Sequence, residues 1–174
     1  MDLEHIDKVT AGAVGEPGQR TFYLQAREGD RTVTILVEKE QVELLATSIL
    51  EILATVGLET GEGPPEDTLE LEPPLEPLWR AGRLSIGYAE DRDRMLLEVQ
   101  ELIEGADEDA PDPELPEPAR VRLWATREQM LALSRHGAAV AARGRPRCRF
   151  CGNPMDPEGH SCPAMNGHRE TARR

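Results

Sequence analysis

The sequence predicts an α+β protein: a mostly antiparallel sheet with two helices on one face, ending in a short cysteine-bearing segment. Three observations predict it. Apolar and polar residues alternate in several short stretches, the period of a half-buried strand. Two longer stretches place apolar residues at helical spacing. The chain's 3 cysteines all fall within residues 148–162, apart from those stretches.

Residues 3–14 read as a first strand that closes on the small-residue run Ala11-Gly12-Ala13-Val14, and His5 falls in its polar start. Gly15-Glu16-Pro17-Gly18 is a turn. Arg20 to Arg27 alternates, with Phe22, Leu24 and Ala26 on one face. After Glu28-Gly29-Asp30 the alternation resumes from Arg31 to Glu38, with Val33, Ile35 and Val37 aligned. A helix is expected over Lys39–Val56, its apolar side carrying Val42, Leu45, Ile49 and Leu53, and Gly57 stops it.

The scheme then restarts. Arg83 to Ala89 places Leu84, Ile86 and Tyr88 on one face, and Glu90–Asp93 turns the chain. Arg94 to Glu101 fits a strand or a short helix, because Met95-Leu96-Leu97 blurs the period. Arg120 to Ala125 alternates with Val121, Leu123 and Ala125 inward, which turns Trp124 outward toward the sheet surface, the acidic loops or a partner. A last helix runs from about Arg127 to Arg143, with Thr126 as N-cap and Gln129 completing a capping box. Residues 31–42 match residues 119–130 at a constant offset, with Glu40-Gln41 on Glu128-Gln129. A duplicated strand-strand-strand-helix unit and two similarly worded strand-to-helix junctions both fit so short a match.

The formal net charge is -13, and the acid is concentrated in two proline-rich loops, 59–77 and 102–118. Self-repelling carboxylates interrupted by proline predict solvated linkers. Residues 1–143 are therefore expected to form the α/β core and residues 144–174 a separate metal-binding segment. Arginines 143, 145, 147, 149, 169, 173 and 174 give that segment the opposite sign. They can offset the charge of a thiolate-rich centre. The acidic start lacks the apolar run of a signal peptide, and no stretch has the length of a membrane span. An odd number of clustered cysteines suits a metal better than disulfides, so a cytoplasmic protein is expected.

The metal signal is the spacing Cys148-x-x-Cys151, then His160-x-Cys162. A Cys-x-x-Cys pair wraps two thiolates around one ion, and a second cluster completes a tetrahedron. Gly152 supplies the turn under the metal, and Pro154, Pro157 and Gly159 keep the intervening loop tight. One zinc ion held by Cys148, Cys151, His160 and Cys162 is the expected site, resembling a zinc ribbon or knuckle, with iron or a free redox pair as the alternatives. His168 is also within reach of the fourth position. Four protein ligands leave no open coordination site, which marks a structural centre.

The remaining residues nominate no catalysis. His5 and His136 read as surface histidines. The chain has no glycine-rich phosphate loop, no G-x-S-x-G elbow and no H-E-x-x-H helix. No general acid or base stands out of the acidic runs, so an enzyme ranks behind two binding roles. The first is a non-enzymatic adaptor that docks a protein partner on the zinc loop. The second is a nucleic-acid-binding zinc ribbon using Arg145, Arg147 and Arg149 on phosphates. The net acidity and a lack of aromatics near those arginines weigh against the second.

Three stretches together resemble a known family: Gly12-x-x-Gly15-x-Pro17-Gly18-x-Arg20-x-Phe22, then Leu36-Val37-Glu38-Lys39-Glu40-Gln41-Val42, then Cys148-x-x-Cys151-Gly152-x-Pro154-x-Asp156-Pro157-x-Gly159-His160-x-Cys162-Pro163-x-x-Asn166-Gly167. They are similar to the mainly actinobacterial family known as domain of unknown function 3090. The resemblance implies a small cytoplasmic bacterial protein with a C-terminal zinc-binding segment, and it implies no particular activity.

Overall fold

In the computed structural model, residues 1–105, 115–144, 147–156, 159–165 and 169–170 are described. His168, Arg145, Pro157 and residues 106–114 of the second acidic loop lie outside them. The chain divides into two compact units, Met1–Val14 with Thr21–Ala141, and Gly15–Arg20 with Ala142–Arg174.

The first unit begins with a short strand β1 (Asp2–Leu3), followed by β2 (Lys8–Val14), β3 (Thr21–Glu28) and β4 (Arg31–Val37). Strands β2, β3 and β4 form an antiparallel meander in that order. The register sets Ala11 against Leu24 and Leu24 against Ile35, so the alternating apolar residues share one buried face. Helix α1 (Lys39–Val56) follows and ends at Gly57, whose φ of 66° is left-handed. A second meander, β5 (Ala81–Ala89), β6 (Arg94–Glu101) and β7 (Arg120–Ala125), precedes helix α2 (Arg127–Ala142). Strand β1 adds parallel to β7, pairing Leu3 with Leu123.

The class is the one the sequence predicts, α+β with mostly antiparallel pairing and two helices. The strands divide between two sheets, a three-stranded β2-β3-β4 and a four-stranded β1-β7-β6-β5. Leu36 of β4 bridges Arg80, just ahead of β5. Each half runs strand-strand-strand-helix, and the two helices touch. Ser134 Oγ donates to Ala46 O at 2.7 Å, and a Cβ built on Gly137 would stand 3.2 Å from Val42 Cγ1.

The structure revises several local expectations. Residues 3–14 are two strands, because the chain leaves β7 after Leu3 and crosses to the other sheet. His5 N donates to Glu28 Oε1 (2.6 Å) and Gly29 N to Asp7 Oδ2 (2.7 Å) along that crossing. Residues 94–101 are a strand, since Met95, Leu97 and Val99 are buried at a period of two. His136 is buried, 8% exposed, with Nδ1 3.8 Å from Glu66 Oε1, and is not a surface histidine. Trp124 keeps an expected placement, half-buried on the sheet, with the Arg92 guanidinium 4.5 Å from its ring centre.

The largest departure is the first acidic loop. It carries a 3-10 turn at Glu66–Leu69 and buries Leu69. It covers the second face of the β2-β3-β4 sheet, where Thr10 Oγ1 donates to Leu69 O and Lys8 Nζ meets Glu72 Oε1 at 3.0 Å. Leu71 lies where a Cβ on Gly12 would sit. Polar residues on that face thus bind a strap of the chain's own backbone, where the charge run alone predicts a solvated linker.

Candidate metal centre

The local backbone follows from glycine and hydrogen bonding. Cys148 N donates to Asn153 O, and Gly152 N donates back to Cys148 O, each at 2.8 Å. This tight loop requires left-handed backbone at Gly152 (φ 74°), which only a residue without Cβ adopts freely. Phe150 N points at Cys148 Sγ from 3.4 Å, the amide-to-sulfur contact of a metal knuckle. A second turn has Gly159 at φ 87°, its N–H donating to Asp156 O at 2.8 Å. It delivers His160 into strand β8 (His160–Ser161), which pairs with β9 (Arg169–Glu170). Cys162 follows, and a 3-10 turn begins at Pro163.

These turns bring the four sequence-predicted side chains together. One donor atom from each of Cys148, Cys151, His160 and Cys162 lies within 4.8 Å of every other. Cys148 Sγ and Cys162 Sγ are 3.7 Å apart, and Cys151 Sγ is 3.2 Å from His160 Nε2. Sulfurs bound tetrahedrally at about 2.3 Å from one ion stand roughly 3.8 Å apart. The sulfur separation fits that geometry, and the sulfur–nitrogen separation is a few tenths of an ångström tighter. His160 turns Nε2 toward the sulfurs and keeps Nδ1 buried without a hydrogen-bond partner among the described residues. Cys148 and Cys162 are buried with Met155 in a small core of their own. None of the cysteines is in a disulfide.

Sequence reasoning missed two members of this loop. Met155 packs with the buried Cys148 and Cys162, and a lone methionine among prolines and glycines is the only signal for it. Phe150 is the other. It is 49% exposed and lies 4.6 Å beneath the Arg149 guanidinium, so an aromatic does accompany the arginines. Its position between the two cysteines of the Cys-x-x-Cys pair was the available signal. Arg147 is exposed at the loop's edge, where its guanidinium donates to Gly152 O at 3.2 Å.

A mixed α+β protein whose C-terminal loop gathers three thiols and one imidazole is the class that fold and site define. Within that class, the chain belongs to the family described as Protein of unknown function (DUF3090), which matches residues 1–162. No curated protein and no solved structure matches it. The family match takes in all four clustered side chains and ends before His168. Among the described residues, no helix is long and apolar enough to cross a membrane.

Proposed function

We propose that Cys148, Cys151, His160 and Cys162 bind one structural zinc ion, and that the braced loop is the docking surface of a non-enzymatic adaptor. The observation that carries the metal reading is the convergence of four donor atoms within 4.8 Å. Three sulfurs and one nitrogen in a compact loop favour zinc over the harder divalent cations, which prefer oxygen. Four protein donors leave no position for water or substrate, so the ion's role is to hold the loop's fold. His160 is preferred to His168 because it already faces Cys151 and lies inside the family match. Clustered thiols outside any disulfide suit a reducing compartment such as the bacterial cytoplasm.

The adaptor reading rests on what the loop presents. Phe150, Arg147 and Arg149 project from a backbone fixed at both of its turns, so an aromatic anchor and two cations are offered at low ordering cost. The same trio supports a second reading, because an exposed aromatic beside arginines also forms a stacking platform for single-stranded nucleic acid. Net charge -13 opposes it.

Elemental analysis of protein purified without chelator tests the metal. One zinc per chain is expected, and Cys151→Ser releases it while the helical circular dichroism of residues 1–141 persists. His160→Ala weakens binding by more than the roughly 10–100-fold typical of an outer-shell partner, and His168→Ala by less. Metal-free protein with three freely titrating thiols refutes the site, and the opposite order of the two histidine variants reassigns the fourth ligand.

A further inference from the structure

Strand β5 ends its sheet among the described residues. At its start Arg80 bridges Leu36, and Gln41 Nε2 donates to Ala81 O (3.2 Å) and Gly82 O (2.8 Å). From Arg83 to Ala89 no strand pairs on the side away from β6 among the described residues. Such an edge is a template for another strand, and proteins ordinarily blunt it with proline, lysine or a bulge. This one has nine residues, with a register irregularity only before Leu84. No proline or lysine follows, and Arg83 is its one charged residue.

The apolar row at this edge is incomplete. Leu84, Ile86 and Tyr88 oppose Val99, Leu97 and Met95, which are fully buried, yet they are themselves only half-buried. Leu44 of α1 lines the same groove as Leu84 and Ile86 and is 68% exposed. Between α1 and β5 lies a groove of ≈ 300 Å³ whose apolar lining is Leu44, Leu45, Leu84 and Ile86. A Cβ added at Gly87 would meet nothing within 4 Å.

We propose that this edge is an interface between two copies of the chain, paired antiparallel through β5. The occupant is argued from the strand's own sequence. An antiparallel register centred on Ile86 sets each Leu84 opposite the other copy's Tyr88, an aliphatic–aromatic pair that stabilises neighbouring strands. It sets Arg83 opposite Ala89, next to Glu90 and Asp91 of the opposing turn. Each cation of one copy thus meets acid of the other, and the twofold axis repeats the contact. The strand is self-complementary in residue pairing and in charge, and pairing extends the apolar row of the groove that Leu44 lines. This inference is independent of the metal site.

Sedimentation equilibrium of the full chain at about 0.15 M salt tests it, a salt level that screens but does not abolish the contacts. A reversible dimer is expected. Arg83→Glu alone and Glu90→Arg alone each weaken it by about tenfold, since each reversal sets like charges together twice. The double variant restores it. Both positions are exposed, so neither reversal threatens folding. Leu44→Glu, also at an exposed position, weakens the dimer without restoring partner. A chain that stays monomeric at every concentration overturns the proposal, and so does a dimer that neither single reversal weakens.

Discussion

Gln25 and Glu72 form a reciprocal pair: Gln25 Nε2 donates to Glu72 O at 2.9 Å, and Glu72 N donates to Gln25 Oε1 at 2.8 Å. A buried side-chain amide thereby stands in for a neighbouring strand and fastens the first acidic segment to the β2-β3-β4 sheet. Its second N–H contact, to Thr34 Oγ1 at 3.0 Å, fixes which way the amide faces. Gln25→Ala removes both bonds to the segment. We expect destabilisation of about 2 kcal/mol, at about 1 kcal/mol for each bond. Hydrogen exchange at the Glu72 amide should accelerate far more than exchange in β6. Unchanged protection at Glu72 would refute the fastening role.

That pair also shows where the sequence stops being legible. Strand and helix positions were readable because burial follows a period of two or 3.6, as in Phe22/Leu24/Ala26 and Val42/Leu45/Ile49. The Cys/His cluster was readable because its four side chains are close in sequence and their spacing alone constrains them. The docked segment was not, since Thr10, Gln25 and Thr34 are polar and carry no periodic apolar signal. Only the tertiary fold shows that Thr10 and Gln25 bind backbone of that segment, 47 residues away in the case of Gln25 and Glu72, and that Thr34 holds the Gln25 amide. The break between β1 and β2 was hidden for a similar reason, because a strand that changes sheets keeps its local alternation.

The matched glutamines do comparable work. Gln41 Oε1 accepts from Glu38 N at 2.9 Å while its Nε2 reaches Gly82 O, and Gln129 Oε1 accepts from Thr126 N at 2.9 Å while its Nε2 reaches Ile6 O at 2.8 Å. Each closes a helix N-terminus and ties it to a distant chain segment. Thr126 Oγ1 also receives the Gln129 N–H at 3.1 Å, as the capping box requires. Gln129→Ala should cost about 1–2 kcal/mol, and Thr126→Ala about 1 kcal/mol. Chemical denaturation of both single variants and the double variant measures the coupling. Strict additivity would count against a shared box.

Acid should destabilise the first unit in a defined direction. The Arg127 guanidinium, and then the Tyr88 hydroxyl, hold the Asp93 carboxyl below its ordinary range. Arg122, and then Gln100, do the same for Glu98, which lies 2.8 Å from Arg122 Nε. A carboxyl whose pKa is lowered by folding contributes stability above its unfolded value and loses it as pH falls through the folded one. Stability should therefore decline from about pH 4.5 downward, near the unfolded carboxylate range. Arg122→Gln should flatten that decline, as followed by urea denaturation from neutral to acid pH. An acid limb identical in the variant would remove Glu98 as a contributor.

The choice between a protein partner and nucleic acid turns on Phe150, Arg147 and Arg149. A nucleic-acid site gathers cations on one face, and its affinity falls steeply with salt because bound phosphates release counterions. The loop has the local ingredients, including a ring already stacked on a guanidinium at 4.6 Å. The whole chain carries -13, however, and long-range repulsion of a polyanion acts over the Debye length of about 8 Å at physiological salt. We therefore expect weak or no binding to mixed-sequence RNA or duplex DNA at physiological salt, strengthening only as salt is lowered. A native-host pull-down should instead return a protein that Phe150→Ala releases. Titration at two salt concentrations decides the matter. Sub-micromolar affinity at physiological salt, lost on replacing Phe150, Arg147 and Arg149, would transfer the loop's function to nucleic acid.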